Sequence, residues 1–259
     1  MAPKVERIPE IPNVELGEGP HWDEKSQSLY FVDILGNTIH KYHPATKKHT
    51  QANIGAPVSI IIPVQGEKDR FLISIGREIA LVTWDGISDQ ISNIQKIAEG
   101  DPGTNNRFND GKCDPSGRLW VGTMGPEPEN GHVQPERGSL YSVKGNEIKK
   151  HFSNIGISNG LAWNLSLKKM YYIDSFKGTV DQFDFDIETG SIANRTSIFT
   201  LDKHGLASGT NLKTNVAPDG MTIDTDGNLW VAVFNSNSVL KIDPRTPETL
   251  LETVKIPAK

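Results

Sequence analysis

The chain has 259 residues, of which 36% are hydrophobic, with 24 glycines, 16 prolines and a formal net charge of −5. This acidic balance and the absence of a basic block argue against nucleic acid as a partner, and no apolar run is long enough to cross a membrane. Cys113 is the only cysteine, and the start of the sequence lacks the apolar core of a signal peptide, so we expect no internal disulfide and a cytoplasmic protein.

Short strand-like runs separated by turn residues follow one another along the whole chain. In order they cover residues 28–33, 38–42, 59–63, 71–75, 79–83, 119–123, 139–143, 169–175, 180–186, 229–234 and 238–243. No long stretch has a helical period, so the pattern predicts an all-β fold. At this length an all-β fold can be one unit, and we expect a single domain over residues 1–259.

Four similar segments each begin with an oxygen-bearing side chain directly before a glycine, at Glu18, Asp110, Asn159 and Asp219. After each one comes a short apolar run, a polar turn and a second run with aromatic residues, which is typical of a β-hairpin. The intervals are 92, 49 and 60 residues, and a further unit without the polar residue starts near Ala56. Five starts at this spacing predict the four-stranded blades of a β-propeller.

The repeated polar residues carry a prediction about chemistry. The innermost strand of each propeller blade lines the central channel, so Glu18, Asn159 and Asp219 are expected to converge at one mouth. Two carboxylates and an amide oxygen are hard ligands that suit Ca²⁺, Mg²⁺ or Mn²⁺ better than a thiolate-seeking metal. Any one of these dipeptides taken singly could be an ordinary turn, but their recurrence in one register favours a site.

A polar segment lies immediately before the third of these inner strands. Arg107 could bind a polar oxygen of a ligand, and Asn109 could donate a hydrogen bond to a hydroxyl or carbonyl group. Glu127 follows the next strand and could face the same mouth. The alternative is a solvated loop with an Asn-Asp-Gly turn. The region 202–216 is polar and irregular, and we predict a loop near the channel mouth there.

Residues 156–160 read Gly-Ile-Ser-Asn-Gly and match the G-x-S-x-G pattern of a hydrolase nucleophile. That motif requires a strand, a sharp turn and then a helix. The residues after Ser158 lead into a hairpin instead, so we interpret the match as chance.

Four segments together resemble the senescence marker protein, gluconolactonase and luciferin-regenerating enzyme family. They are GEGPHW at residues 17–22, NRFNDGK at 106–112, ISNGLAW at 157–163 and PDGM at 218–221. As a set they are specific and span nearly the whole chain. Residues 170–175 and 228–234 look especially like the luciferin-regenerating members.

The resemblance implies a six-bladed β-propeller with one divalent cation, Ca²⁺, Mg²⁺, Mn²⁺ or Zn²⁺, in the channel mouth. Glu18, Asn159 and Asp219 match the family's metal ligands, and Asp219 also matches its general base. Substrate-contacting positions of the family match Arg107, Asn109 and Glu127. The implied activity is hydrolysis of sugar lactones, small-molecule substrates, by cation-activated water.

Two alternatives share this site. One is the regeneration of luciferin from oxyluciferin, which requires a pocket for a flat aromatic ligand. The other is a non-enzymatic, regucalcin-like calcium-binding regulatory role. Family members also continue beyond the position where this sequence stops, so the resemblance predicts that the last of six blades is largely missing and that the ring is open.

Overall fold

A computed structural model describes residues 3–127 and 133–257. These residues form twenty strands and two short 3₁₀ turns, at Ser175–Lys177 and Leu201–His204. The strands are β1 Gly17–Asp23, β2 Ser28–Asp33, β3 Thr38–His43, β4 Lys48–Asn53, β5 Ile61–Pro63, β6 Arg70–Ile75, β7 Glu78–Thr83, β8 Ser92–Glu99, β9 Arg107–Cys113, β10 Leu119–Met124, β11 Gly138–Lys144, β12 Glu147–Ile155, β13 Ser158–Asn164, β14 Lys169–Asp174, β15 Thr179–Asp186, β16 Ser191–Thr200, β17 Ala217–Ile223, β18 Leu229–Phe234, β19 Ser238–Asp243 and β20 Thr249–Lys255.

Every four consecutive strands make one antiparallel sheet, so the described residues form five four-stranded blades. The predicted all-β propeller is confirmed. The prediction of a six-bladed architecture with a largely missing last blade is wrong, because five complete sheets account for β1 to β20. Within each blade, every strand pairs with its neighbour in sequence. The five blades therefore correspond to the five repeat starts of this chain, and not to the six blades that the family resemblance implied.

Apolar side chains fill the spaces between neighbouring blades. Ile173 and Val180 of the fourth blade, for example, share one buried cluster with Val231 and Leu240 of the fifth. Burial along β18 and β19 alternates with a period of two, as expected for strands whose successive side chains point to opposite faces. Packing between blades therefore fixes the inner strands β1, β5, β9, β13 and β17 around the channel.

Two further features of the chain connect with the sequence predictions. The irregular region after β16 contains the 3₁₀ turn Leu201–His204 and one isolated bridge between Ser208 and Val216, and otherwise no regular strand before β17. Within the described part of the chain, no helix has the length and apolar character needed to cross a membrane.

Candidate functional site

The repeated dipeptides lie at β-bulges. On β1, Glu18 pairs with Val32 and His21 pairs with Tyr30, so three steps on the inner strand oppose two on its partner. The pairing of β9 with β10, of β13 with β14 and of β17 with β18 shifts at the equivalent place. Bulges turn side chains away from the regular alternation and are common beside active sites. Glu18 and Asn159 are the second residues of β1 and β13, and Asp219 is the third residue of β17.

Glycine at the second position of one dipeptide allows two inner strands to approach closely. A Cβ atom on Gly160 would lie 2.6 Å from the Cβ of Met221 and 2.7 Å from the carbonyl oxygen of Asp219. The backbone of β13 therefore lies directly against β17. This approach brings Asn159 and Asp219 to the same part of the channel.

One cavity at the channel mouth contains all six residues that the sequence singled out. The cavity has a volume of about 70 Å³ and opens to solvent on one side. The first, third, fourth and fifth blades contribute to its lining. The predicted residues that line it are Glu18, Arg107, Asn109, Glu127, Asn159 and Asp219.

The carboxylates of the cavity repel one another. Burial raises the pKa of Glu18 well above its ordinary value, and the negative charges of Asp219 and Asp110 raise it further. Burial raises the pKa of Asp219 to about 6, again with a contribution from Asp110. Carboxylates from three inner strands thus share a poorly solvated space, which is an unfavourable arrangement unless positive charge is added.

The Asn159 side chain supplies a second indication that this cavity suits a cation. Its side chain is 4% exposed, and its Nδ2 donates to the Ser175 hydroxyl at 3.0 Å. Its Oδ1 is buried without a hydrogen-bond partner among the described residues. Buried polar atoms almost always have partners, so this orphaned oxygen beside Glu18 and Asp219 fits a divalent cation.

The amide is essential to this donor set. Across residues 3–127 and 133–257, no group of three or more His, Cys, Asp and Glu side chains is arranged to hold a metal ion. A cation in the channel mouth would therefore depend on the oxygen of Asn159 in addition to the carboxylates of Glu18 and Asp219. All three are oxygen donors, which suit hard cations.

Arg107 is the centre of a polar network beside the carboxylates. Its guanidinium donates to Asn109 Oδ1 at 2.8 Å and to Glu127 Oε1 at 2.8 Å. Asn109 in turn donates from Nδ2 to the carbonyl oxygen of Ser158 at 3.0 Å. These bonds fix the three side chains relative to the inner strand β13, where the candidate ligand Asn159 lies.

Three residues of the site were not predicted. The Ser175 hydroxyl donates to the Pro218 carbonyl at 2.8 Å while accepting from Asn159, and it thereby connects two blades. Asp110 adds negative charge, and Lys112 donates to the Met221 carbonyl oxygen at 2.7 Å. The repeat itself marked Asp110, because it belongs to one of the four dipeptides. Ser175 and Lys112 lie in segments that carry the family resemblance, but neither was singled out as a site residue.

The position of Ser158 does not fit that of a catalytic nucleophile. Its side chain is fully buried, and its Oγ accepts a hydrogen bond from the Tyr172 hydroxyl at 3.0 Å. A strand of the fourth blade follows it instead of a helix. The structure thus agrees with the interpretation of the G-x-S-x-G match as chance.

The fold and the site define a class: β-propellers that present carboxylate and amide oxygens from several blades at one channel mouth. Comparison with known families agrees, because the family model described as SMP-30/Gluconolactonase/LRE-like region matches residues 16–259. The chain belongs to this family, as its motifs predicted. The family's gluconolactonases and luciferin-regenerating enzymes support an enzymatic role.

Relatives and solved structures are consistent with this membership. Regucalcin of Macaca fascicularis is 39% identical over 246 residues, covering 95% of this chain and 77% of its own length. A solved luciferin-regenerating enzyme is 49% identical with a TM-score of 0.90, covering 97% of this chain and 80% of that one. A calcium-binding regucalcin from Agrobacterium tumefaciens, 24% identical with a TM-score of 0.81, covers 97% of this chain and 78% of its own and shares the fold.

Proposed function

We propose that this chain is a divalent-cation-dependent lactone hydrolase, with sugar lactones among its substrates. One observation carries the proposal: Asn159, whose Oδ1 has no hydrogen-bond partner among the described residues, lines the same cavity as Glu18 and Asp219, whose negative charges repel each other. These three residues would hold the cation. When bound, a cation of this kind supplies a Lewis acid that polarises a carbonyl group and makes water more acidic.

Asp219 is the proposed general base. Its carboxylate lines the cavity, and positive charge beside it favours the ionised form, which can accept a proton at neutral pH. Asp219 directly follows Pro218 in the chain. The carbonyl oxygen of Pro218 accepts a hydrogen bond from the Ser175 hydroxyl, and this bond restrains the bulge. Proton acceptance by a positioned carboxylate typically contributes about 10²–10⁴-fold to a rate.

Arg107, Asn109 and Glu127 are the proposed substrate-orienting residues. The Arg107 side chain is 12% exposed and bridges the other two, so its position is already fixed before a ligand binds. A pre-organised guanidinium loses little conformational freedom when it binds a ring or carbonyl oxygen. These contacts would set the lactone carbonyl against Asp219.

A panel of lactones with and without chelator tests the proposal. We expect lactone hydrolysis to stop when chelator is added and to return with Mn²⁺ or Mg²⁺. The Asp219→Ala variant should lack this hydrolysis even at saturating cation. Asp226→Asn, on an exposed turn of the same blade, is the matched control and should retain activity. No hydrolysis of any lactone by the cation-loaded protein would contradict the proposal.

The luciferin-regenerating reaction is the second candidate function. It is favoured by the 49% identity to the solved luciferin-regenerating enzyme and by apolar side chains in the cavity lining, such as Ile34 and Phe234. Turnover of oxyluciferin with no turnover of lactones would establish it instead. A purely calcium-binding role, consistent with the regucalcin relatives, predicts Ca²⁺ binding without turnover of either substrate.

A further inference from the structure

The lining of the central cavity divides into two chemically different parts. The bulge residues and the Arg107 network make a polar part. Six large apolar side chains, which we call the apolar wall, line a second part. The wall consists of Leu16, Ile34, Met124, Ile157, Leu212 and Phe234.

The apolar wall is a packed surface that still presents apolar atoms to the cavity. Met124 and Ile157 are buried in one cluster, and Leu212 packs against them from the loop before β17. Leu16, Leu212 and Phe234 are only half-buried. Covering apolar surface with an apolar group of a ligand removes both from water, which favours binding. Each methylene of the ligand that becomes buried raises the binding affinity by about fourfold.

The polar part offers few groups for additional hydroxyls. Arg107 donates to Asn109 and to Glu127, and the Nδ2 of Asn109 is bonded to the backbone of Ser158. The oxygens of Glu18, Asn159 and Asp219 are those assigned above to the cation. A polyhydroxylated ring would bring polar groups against the apolar wall, where hydroxyls without partners are unfavourable.

We propose that this site selects lactones that carry an apolar alkyl or aryl substituent over polyhydroxylated sugar lactones. The inference rests on the proposed lactone hydrolysis and narrows its substrate class. The ester group would lie at the polar part of the cavity, and the substituent would cover the apolar wall. Selection then comes from the wall, and the ester chemistry is the same for both substrate types.

The test is kcat/KM of the Mn²⁺-loaded protein for δ-valerolactone, δ-hexalactone, δ-octalactone and δ-nonalactone, compared with δ-gluconolactone. We expect kcat/KM to rise by up to about fourfold per added methylene until the wall is covered. We also expect δ-nonalactone to exceed δ-gluconolactone by at least about tenfold. A flat alkyl series, or a preference for δ-gluconolactone, overturns the inference while leaving lactone hydrolysis intact.

Variants separate the wall from the chemistry. Leu212→Gln should lower kcat/KM for δ-nonalactone by about tenfold and change that for δ-gluconolactone by less than about twofold. Phe234→Ser is a second variant with the same expectation. Leu165→Gln, an exposed leucine outside the channel, is the matched control and should change neither value. Equal losses for both lactones in the two wall variants would contradict selection by the wall.

Binding gives a readout that does not require turnover. Calorimetry of the Mn²⁺-loaded protein should show tighter binding of an alkyl-substituted δ-lactam than of gluconolactam. If no lactone is hydrolysed but the lactams bind in this order, the proposed function fails while the wall's preference stands. If the gluconolactam binds as tightly or more tightly, the preference itself is wrong.

Discussion

Lys112 and Met221 connect two inner strands that are not neighbours in the ring. The Lys112 ammonium, on β9, donates to the Met221 carbonyl oxygen, on β17, at 2.7 Å. Met221 directly follows the bulge that presents Asp219. Burial lowers the pKa of Lys112, and the charge of Asp110 opposes that shift. The bond therefore holds the Asp219 bulge and places one positive charge among the channel carboxylates.

Lys112→Met should destabilise the cation-free protein. The variant loses a charge-assisted hydrogen bond, which contributes about 1.5–3 kcal/mol, and leaves Asp110 uncompensated. Chemical denaturation in chelator measures this loss, with the exposed Lys177→Met as matched control. Because the channel becomes more negative, Mn²⁺ should stabilise the variant more than it stabilises the unmodified chain. An unchanged unfolding free energy in chelator would show that the hydrogen bond from Lys112 to Met221 does not contribute to stability.

Neutralising the channel carboxylates should stabilise the cation-free protein. Folding raises the pKa of Glu18 and of Asp219, so at neutral pH their ionised forms disfavour the folded state. Glu18→Gln combined with Asp219→Asn removes that penalty. We expect a gain of about 1–2 kcal/mol, or roughly 2–8 °C in melting temperature, together with loss of the stabilisation by Mn²⁺.

The exposed pair Glu24→Gln with Asp226→Asn is the control for that double variant, and it should keep the response to Mn²⁺. A double variant at the channel that is less stable than the unmodified chain in chelator, or that still responds fully to Mn²⁺, would argue against a cation site at these residues.

Ser158→Ala should retain most lactone hydrolysis but lower stability. The substitution leaves the buried Tyr172 hydroxyl without its acceptor, which costs about 1–3 kcal/mol. Adding Tyr172→Phe removes the unpaired hydroxyl and should recover part of the loss. The measurements are the lactone hydrolysis rate at saturating Mn²⁺ and the melting temperature of both variants. An inactive Ser158→Ala that still binds Mn²⁺ would support a serine esterase mechanism instead.

Asp101 should contribute stability that is lost in acid. It accepts hydrogen bonds from Tyr141 at 2.6 Å, Asn106 at 2.9 Å and Lys150 at 3.0 Å, and such bonds outweigh burial and lower its pKa. A lowered folded-state pKa gives stability that is fully present above the unfolded pKa of about 3.9 and is lost progressively as the pH falls from there towards the lowered folded-state pKa.

Asp101→Asn should therefore be clearly less stable than the unmodified chain at pH 7, with the difference shrinking below about pH 4. Thermal melts of both proteins from pH 7 to pH 3 measure this convergence. The exposed Asp89→Asn should follow the unmodified chain throughout. A difference in stability that stays constant across this range would show that the charge of Asp101 is not responsible.

Much of this molecule could be predicted from sequence because its order is local. Period-two alternation predicts strands, and each blade is a meander of consecutive strands, so the repeat starts near Ala56 and at the four dipeptides correspond to the five sheets. The recurrence of Glu18, Asn159 and Asp219 in one register likewise predicted their common location, because inner strands of a propeller share one channel. These are consequences of spacing along the chain.

The remaining features depend on contacts between residues distant in sequence. Ser175 reaches Pro218 across 43 positions, and Lys112 reaches Met221 across 109. Nothing in the local pattern distinguishes Ser175, in a 3₁₀ turn, or Lys112, on β9, from other polar residues of the chain. The partnerless oxygen of Asn159 and the mutual repulsion of the carboxylates also exist only once the blades are assembled. Spacing along the sequence determined the blades, whereas packing between them determined which polar groups lie close together in a poorly solvated channel.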